Sequence, residues 1–178
     1  MEQLITTILL KDMKKIFFSL VITLLITSCG GFNVIKIVSD SNPDIINYSS
    51  PRIQVRGEFQ LQTFYTELQF FCFQEKNSRT FSIAASYVSN QWPFFEKIIF
   101  NIDGVPHEFL PDRPPTRDVY NIQGPTETIT VIIPEDVIQD IYESMDTRMT
   151  VKGMDFQYDI YWKNDMKMKL FEFHQATL

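Results

Sequence analysis

Apolar side chains at every second position recur through the second half of this chain, most strictly over 154–160. Met154, Phe156, Tyr158 and Ile160 alternate with Asp155, Gln157 and Asp159, and Ile98, Phe100 and Ile102 alternate with Ile99, Asn101 and Asp103. Ile129, Val131 and Ile133 repeat the spacing in a run rich in β-branched residues. A period of two sends successive side chains to opposite faces of an extended chain, so each run predicts a strand with one face on a core. Aromatic residues make up 14% of the chain and include sixteen Phe, which favours strands over Ala-rich helices. Asp103-Gly104 closes one run and opens another (Val105, His107, Phe109), the sequence signature of a two-residue hairpin. Gly153 separates Met149-Thr150-Val151 from the 154–160 run and marks a second hairpin. Ile53, Val55 and Phe59, and the segment Thr80 to Val88, supply further strands. Residues 59–73 fit a helical stripe through Leu61, Phe64, Tyr65 and Leu68 and also a strand through Leu68, Phe70 and Cys72; their Phe and Tyr content tips the balance to a strand.

One helix has clear start signals. Pro134 suits a first helical position, and Glu135 and Asp136 complement the positive end of the helix dipole. Val137, Ile138, Ile141 and Met145 then share one face. A second helix is expected from Asn164 as N-cap, with Met166, Leu170 and Phe173 inward and Lys167, Lys169 and Glu172 outward. Strands followed by strand–helix–strand–strand–helix make an α+β chain: a mainly antiparallel β-sheet or sandwich with one or two short helices near the C-terminus.

The N-terminal region has a different character. Met13-Lys14-Lys15 is a short basic segment, and Ile16 to Ser28 is an apolar run, too short for the roughly 20 residues that span a bilayer. It ends in Ile26-Thr27-Ser28-Cys29, which resembles the lipobox of bacterial lipoproteins, with Ile26 where Leu is commoner. The resemblance implies cleavage before Cys29, a diacylglyceryl thioether on its sulfur and acylation of the freed amine. It also implies that, in a cell with two membranes, Gly30 in place of Asp sends the product to the outer membrane. The expected organisation is an extension over 1–12 that precedes the true start, a signal segment over 13–28, a tether over 29–50 containing one strand near Val34 to Val38, and a single β-rich domain over 51–178. Glu2 and Asp12, acidic where a signal should be basic, are the reason for setting 1–12 aside.

The net charge is −6, and the signal segment with its extension carries +1, so the processed chain carries −7. An acidic body is a poor partner for nucleic acid or anionic lipid, so membrane attachment is expected from the lipid on Cys29. With Cys29 acylated, Cys72 has no partner in the chain and is expected as a buried thiol. His107 and His174 are far apart, and neither has a second ligand at metal spacing. No nucleophile elbow, phosphate-binding loop or dinucleotide fingerprint occurs. No catalytic residue, metal ligand or cofactor is therefore assigned. The candidate contact residues are Arg113 and Arg117 in the proline-stiffened segment 110–118, Trp92 beside Pro93, and Trp162 where alternation breaks. These features favour a membrane-anchored envelope lipoprotein that binds or scaffolds another envelope protein. The alternative is a carrier of a small apolar ligand in an aromatic-lined pocket; an enzyme with an unfamiliar site is a third reading.

Overall fold

The computed structural model describes residues 32–60, 62–89, 92–119 and 124–178. The signal segment, Cys29 and Leu61 lie outside the described residues. The chain from Phe32 to Leu178 forms one compact unit. Its strands are β1 (Ile35–Val38), β2 (Ile45–Ser49), β3 (Ile53–Phe59), β4 (Gln62–Glu75), β5 (Ser78–Val88), β6 (Phe95–Ile102), β7 (Val105–Phe109), β8 (Thr116–Asp118), β9 (Thr126–Ile133), β10 (Thr147–Gly153) and β11 (Gln157–Tyr161). Two helices, α1 (Glu135–Glu143) and α2 (Asn164–Ala176), complete it. The α+β assignment is borne out, with a single sheet rather than a two-sheet sandwich.

All strand pairs are antiparallel, in the order β7-β6-β10-β11-β3-β4-β5-β9-β8, with β1 and β2 branching from β4. The fourteen-residue β4 is the spine. One edge pairs with β5 from Glu67 to Glu75, and the other pairs first with β3 and then with β2. The chain passes between β2 and β3 through buried Ser50. Its N–H donates to the Phe70 carbonyl at 2.9 Å, and its Oγ accepts the Phe70 N–H at 2.9 Å. A side chain thus replaces a ladder bond where the strand bends.

The period-two rule then builds the core. Leu68, Ala85 and Ile129 sit side by side on β4, β5 and β9, as do Phe70, Ile83 and Val131, and Cys72, Phe81 and Ile133. Met149 and Val151 face Phe100 and Ile98 across β10 and β6. The sheet curls into an open half-barrel whose two arms approach where Pro111 bridges to Val131. The helices fill its concave side through Val137, Ile138 and Ile141 of α1 and Met166, Leu170 and Phe173 of α2.

Several expectations shift by local physics. The supposed tether is, from Phe32 onward, part of the compact unit: β2 pairs with β4, and Phe32 packs its ring 6.5 Å from that of Phe70. Asp103 and Gly104 both adopt positive φ, as a tight hairpin turn requires. Pro134 is the N-cap rather than the first helical residue, and Lys163 rather than Asn164 caps α2. Met145 does not join the α1 face, because the helix ends at Glu143 and leaves it 97% exposed. Lys167 is buried rather than outward. Its ammonium donates to the Ser144 carbonyl at 2.8 Å and to Ser144 Oγ at 2.9 Å, placing a cation at the negative end of α1.

Ile141 is fully buried and Gln139 is exposed on the opposite face of α1. In a fragment beginning at Phe32, Ile141→Ala should cost about 2–5 kcal/mol in urea unfolding. Gln139→Ala should stay within about 0.5 kcal/mol of wild type. Equal losses would mean that α1 does not pack on the sheet through this face.

Candidate functional site

The site is built at the rim where the half-barrel's arms meet. β6 begins beside the first turns of β9, yet the two strands share no hydrogen-bonded ladder. The gap is bridged by Glu127. Alternation along β9 sends Glu127 to the same side as Ile129 and Val131, so its carboxylate is carried inward and fully buried. It accepts the N–H of Phe94 at 2.9 Å on Oε2 and the N–H of Phe95 at 3.2 Å on Oε1. A buried carboxylate is costly unless its oxygens are satisfied, and these two donors do part of that work.

Arg117 completes the arrangement. It lies opposite Glu127 in the β8–β9 pairing, and its Nη2 donates to Glu127 Oε1 at 3.3 Å. Its guanidinium lies 4.7 Å from the Phe94 ring centroid and 5.9 Å from that of Trp92. Both separations lie within cation–π range. The arginine side chain stays 41% exposed, so one cation links a buried carboxylate to two aromatic rings at the surface.

Phe94 is held in an unfavourable backbone state, with φ of +52°. A residue with a Cβ seldom adopts this region. Three contacts enforce it: the Glu127 bond to its N–H, the Met154 N–H donated to its carbonyl at 3.2 Å, and the close passage of Gly153. A Cβ at Gly153 would stand 2.1 Å from the Pro93 carbonyl oxygen, so only glycine lets these segments approach. Strain of this kind persists where surrounding structure over-determines it, and it leaves Phe94 44% exposed.

Below the rim lies a cleft of about 670 Å³ lined by Phe59, Tyr87, Trp92, Phe94, Asp155 and Phe156. Phe59 and Tyr87 pack on Phe156 with ring centroids 4.7 and 5.0 Å away. Burial pushes the Tyr87 hydroxyl above its ordinary pKa. On the other side of Arg117 is a more polar cleft of about 720 Å³, bordered by Arg52, Tyr65, Glu67, Thr116 and Thr128. Arg117 lines that second cleft and stacks on two residues of the first.

Of the contact residues expected from sequence, the structure therefore unites Trp92 and Arg117. Arg113 stands apart: its side chain is 90% exposed, with only a long 3.9 Å ion pair to Asp112. Trp162 is a correction. It is buried, with ring centroids 6.0 Å from Phe70 and 5.7 Å from Phe100, and contributes to the core rather than to a contact surface. Its backbone N–H donates to the Thr147 carbonyl just beyond β11, and there the chain turns the indole inward. Phe94 and Glu127 were missed. Glu127 was legible in principle, because extending the β9 alternation by one step places it inward.

Two other groups bear on chemistry. His174 is buried between Glu135, 2.9 Å from its Nε2, and Tyr142, 3.3 Å from its Nδ1. Arg79 pairs with the same Glu135 at 2.7 Å, so the cluster fastens α1, α2 and β5 together. Cys72 is buried, and desolvation pushes its thiol from 9.0 up to about 11, against weaker opposing effects of Thr177 and Arg79. Among the described residues no group of three His, Cys, Asp or Glu side chains converges as a metal site requires, and no helix is long and apolar enough to cross a membrane.

Two measurements follow. Phe94→Gly should be more stable than Phe94→Ala by about 1 kcal/mol in urea unfolding, because both lose the ring but only alanine keeps the strain. Equal stability would show that the rim relaxes out of the left-handed region. In the second, the unfolded thiol of Cys72 releases its proton near pH 9 and the folded one near 11. The folded state therefore holds more protons between those values, and stability falls as pH rises through the window. The loss attributable to Cys72 should reach about 2 kcal/mol by pH 11. It should be absent from the pH profile of Cys72→Ala, whose difference from wild type would otherwise stay constant.

No protein family matches the chain, and no curated protein or solved structure matches it.

Proposed function

We propose that this chain is a lipid-anchored protein of the bacterial cell envelope, acting as a non-enzymatic binding module that meets another envelope protein through the Trp92–Phe94–Arg117 rim. The observation that carries the reading is the strained, exposed Phe94 braced by a buried carboxylate and stacked under an arginine. Aromatic rings and arginine are the side chains that most often dominate protein contacts. A rim fixed before binding loses little conformational freedom on association. Anchoring rests on the lipobox-like Ile26-Thr27-Ser28-Cys29.

The aromatic cleft beside the rim favours one second reading, a carrier of a small apolar ligand. Its volume of about 670 Å³ lies within the range of small-molecule sites. The two readings differ in their occupant, a protein segment or a free molecule.

Metabolic labelling with a fatty acid should mark the wild type and not Cys29→Ser, and the variant should leave the membrane fraction. Crosslinking in intact envelopes should then yield an adduct with one protein, lost in Trp92→Ala and Arg117→Glu and kept in Arg113→Glu. A label on Cys29→Ser would sink the anchor. An adduct indifferent to the rim variants would sink the rim as the contact. Ser89 also lines the aromatic cleft; tight binding of a fluorescent fatty acid, abolished by filling the cleft with Ser89→Trp, would favour the carrier.

A further inference from the structure

The convex side of the sheet carries a region unlike the rest of this acidic protein. Its side chains are those that alternate with the inward residues of β4, β5 and β9. Ile35, Ser49, Phe71, Ser82 and Ile132 form one row across β1, β2, β4, β5 and β9. Ile37, Asn47, Phe73 and Thr80 form the next. Gln69, Ala84 and Thr130 form a third. None of these three rows contains an Asp, Glu, Lys or Arg. Charge returns at both borders, with Glu67 paired to Arg52 on one side and Glu75 on the other. Within the rows Ile35, Ile37, Phe73 and Ile132 are each between 41% and 58% exposed.

The short stretch of sequence between the anchor residue and the compact unit bears on what covers this face. Cys29 is separated from Phe32, the first residue of the compact unit, only by Gly30 and Gly31. Six peptide steps take the chain from Cys29 to Ile35, a reach of about 20 Å when fully extended. A body joined so closely to a bilayer lies against it, and one of its faces must be the one that does. An acidic face is repelled by anionic headgroups, whereas an uncharged face bearing Ile and Phe can bury them at the headgroup boundary. The rim lies at the other end of β9: Glu127 contacts Phe94 there, five residues and about 17 Å of strand away from Ile132.

We infer that the convex face formed by Ile35, Ile37, Phe73 and Ile132 rests on the lipid headgroup boundary of the bilayer that holds the Cys29 lipid. This rests on the anchoring reading above and adds an orientation to it. The four side chains are too few to bind the surface without the lipid; they select which side of the body turns toward it. The rim then stands along β9 from that face, open to a partner.

The test uses the processed, lipidated full chain in vesicles of phosphatidylethanolamine and phosphatidylglycerol, with single cysteines introduced by Ile132→Cys, Ile37→Cys and Met154→Cys. Met154 is exposed and bonded through its N–H to Phe94 at the rim, so it is the control. The native Cys72 is buried and contributes little background. A membrane-impermeant maleimide should react about tenfold more slowly at positions 132 and 37 on vesicles than in the same variants carrying Cys29→Ser free in buffer. At position 154 the two rates should agree within about twofold. The Cys29→Ser chain should not float with vesicles. Fatty-acid labelling and flotation are scored on the same lipidated samples. If these succeed while positions 132 and 37 react at the unprotected rate, this orientation is wrong and the anchor stands. Equal slowing at all three positions also overturns it. If the wild type carries no label, the anchor and the orientation fall together.

Discussion

The buried carboxylate of Glu127 is the interaction on which the shape of this molecule depends. A sheet that curls must either close by strand pairing or leave an open seam. Here β9 and β6 draw together without a ladder, and one side chain takes the two N–H groups that a neighbouring strand would otherwise have accepted. The substitution is local, so β6 is free to turn away toward β10 while its first residues stay tied to β9. Arg117 supplies the compensating charge from the solvent side, and its stacking on Phe94 and Trp92 converts a closure device into a surface feature. Core and candidate contact surface are in this sense one construction: the same carboxylate satisfies the seam and positions the rings.

The opposite end solves a different problem with similar means. The helices must sit inside the curl without leaving their own termini unsatisfied. Lys167 of α2 reaches the C-terminal carbonyls of α1 at Ser144. Glu135 in the first turn of α1 joins His174 of α2 and Arg79 of β5. Polar groups tie the helices at both ends, while Ile138, Ile141, Leu170 and Phe173 supply the apolar contact between those ties. The helix pair is held in register by a few charged hydrogen bonds and held in place by burial.

Much of this was legible in the residues. Alternation placed Ile98, Phe100, Ile129, Val131, Tyr158 and Ile160 on inward faces, and Asp103-Gly104 specified its turn, because both signals are local. What sequence could not supply were pairings with distant partners. Glu127 looks like a solvated strand end until Phe94 and Phe95 arrive from 32 or 33 residues away. Lys167 lies on the inward stripe with Leu170 and His174, but charge argued for solvent, and only the end of α1 explains its burial. The segment before Ser50 is rich in turn residues and looks like a tether; its pairing depends on the far half of β4, fourteen residues long and itself ambiguous in sequence. At the candidate site, the Trp92 and Arg117 residue types pointed to contact, while Trp162 did not separate from them, since a broken alternation is equally the mark of a chain turning inward.

The long β4 also has a consequence for how this chain can vary over generations. It faces β5 on one edge and both β3 and β2 on the other; the β5 register carries the inward Leu68, Phe70 and Cys72, and the β3 and β2 registers hold the two ends of that set, Leu68 and Cys72. Inserting or deleting one residue near the middle of β4 would turn half of that set outward and misalign two or three pairings at once. The segment 112–115, between the Pro111 bridge and β8, lies in no strand ladder and faces no such constraint. Length changes in descendants of this sequence should accumulate there, while β4 keeps its residue count even as individual side chains are exchanged.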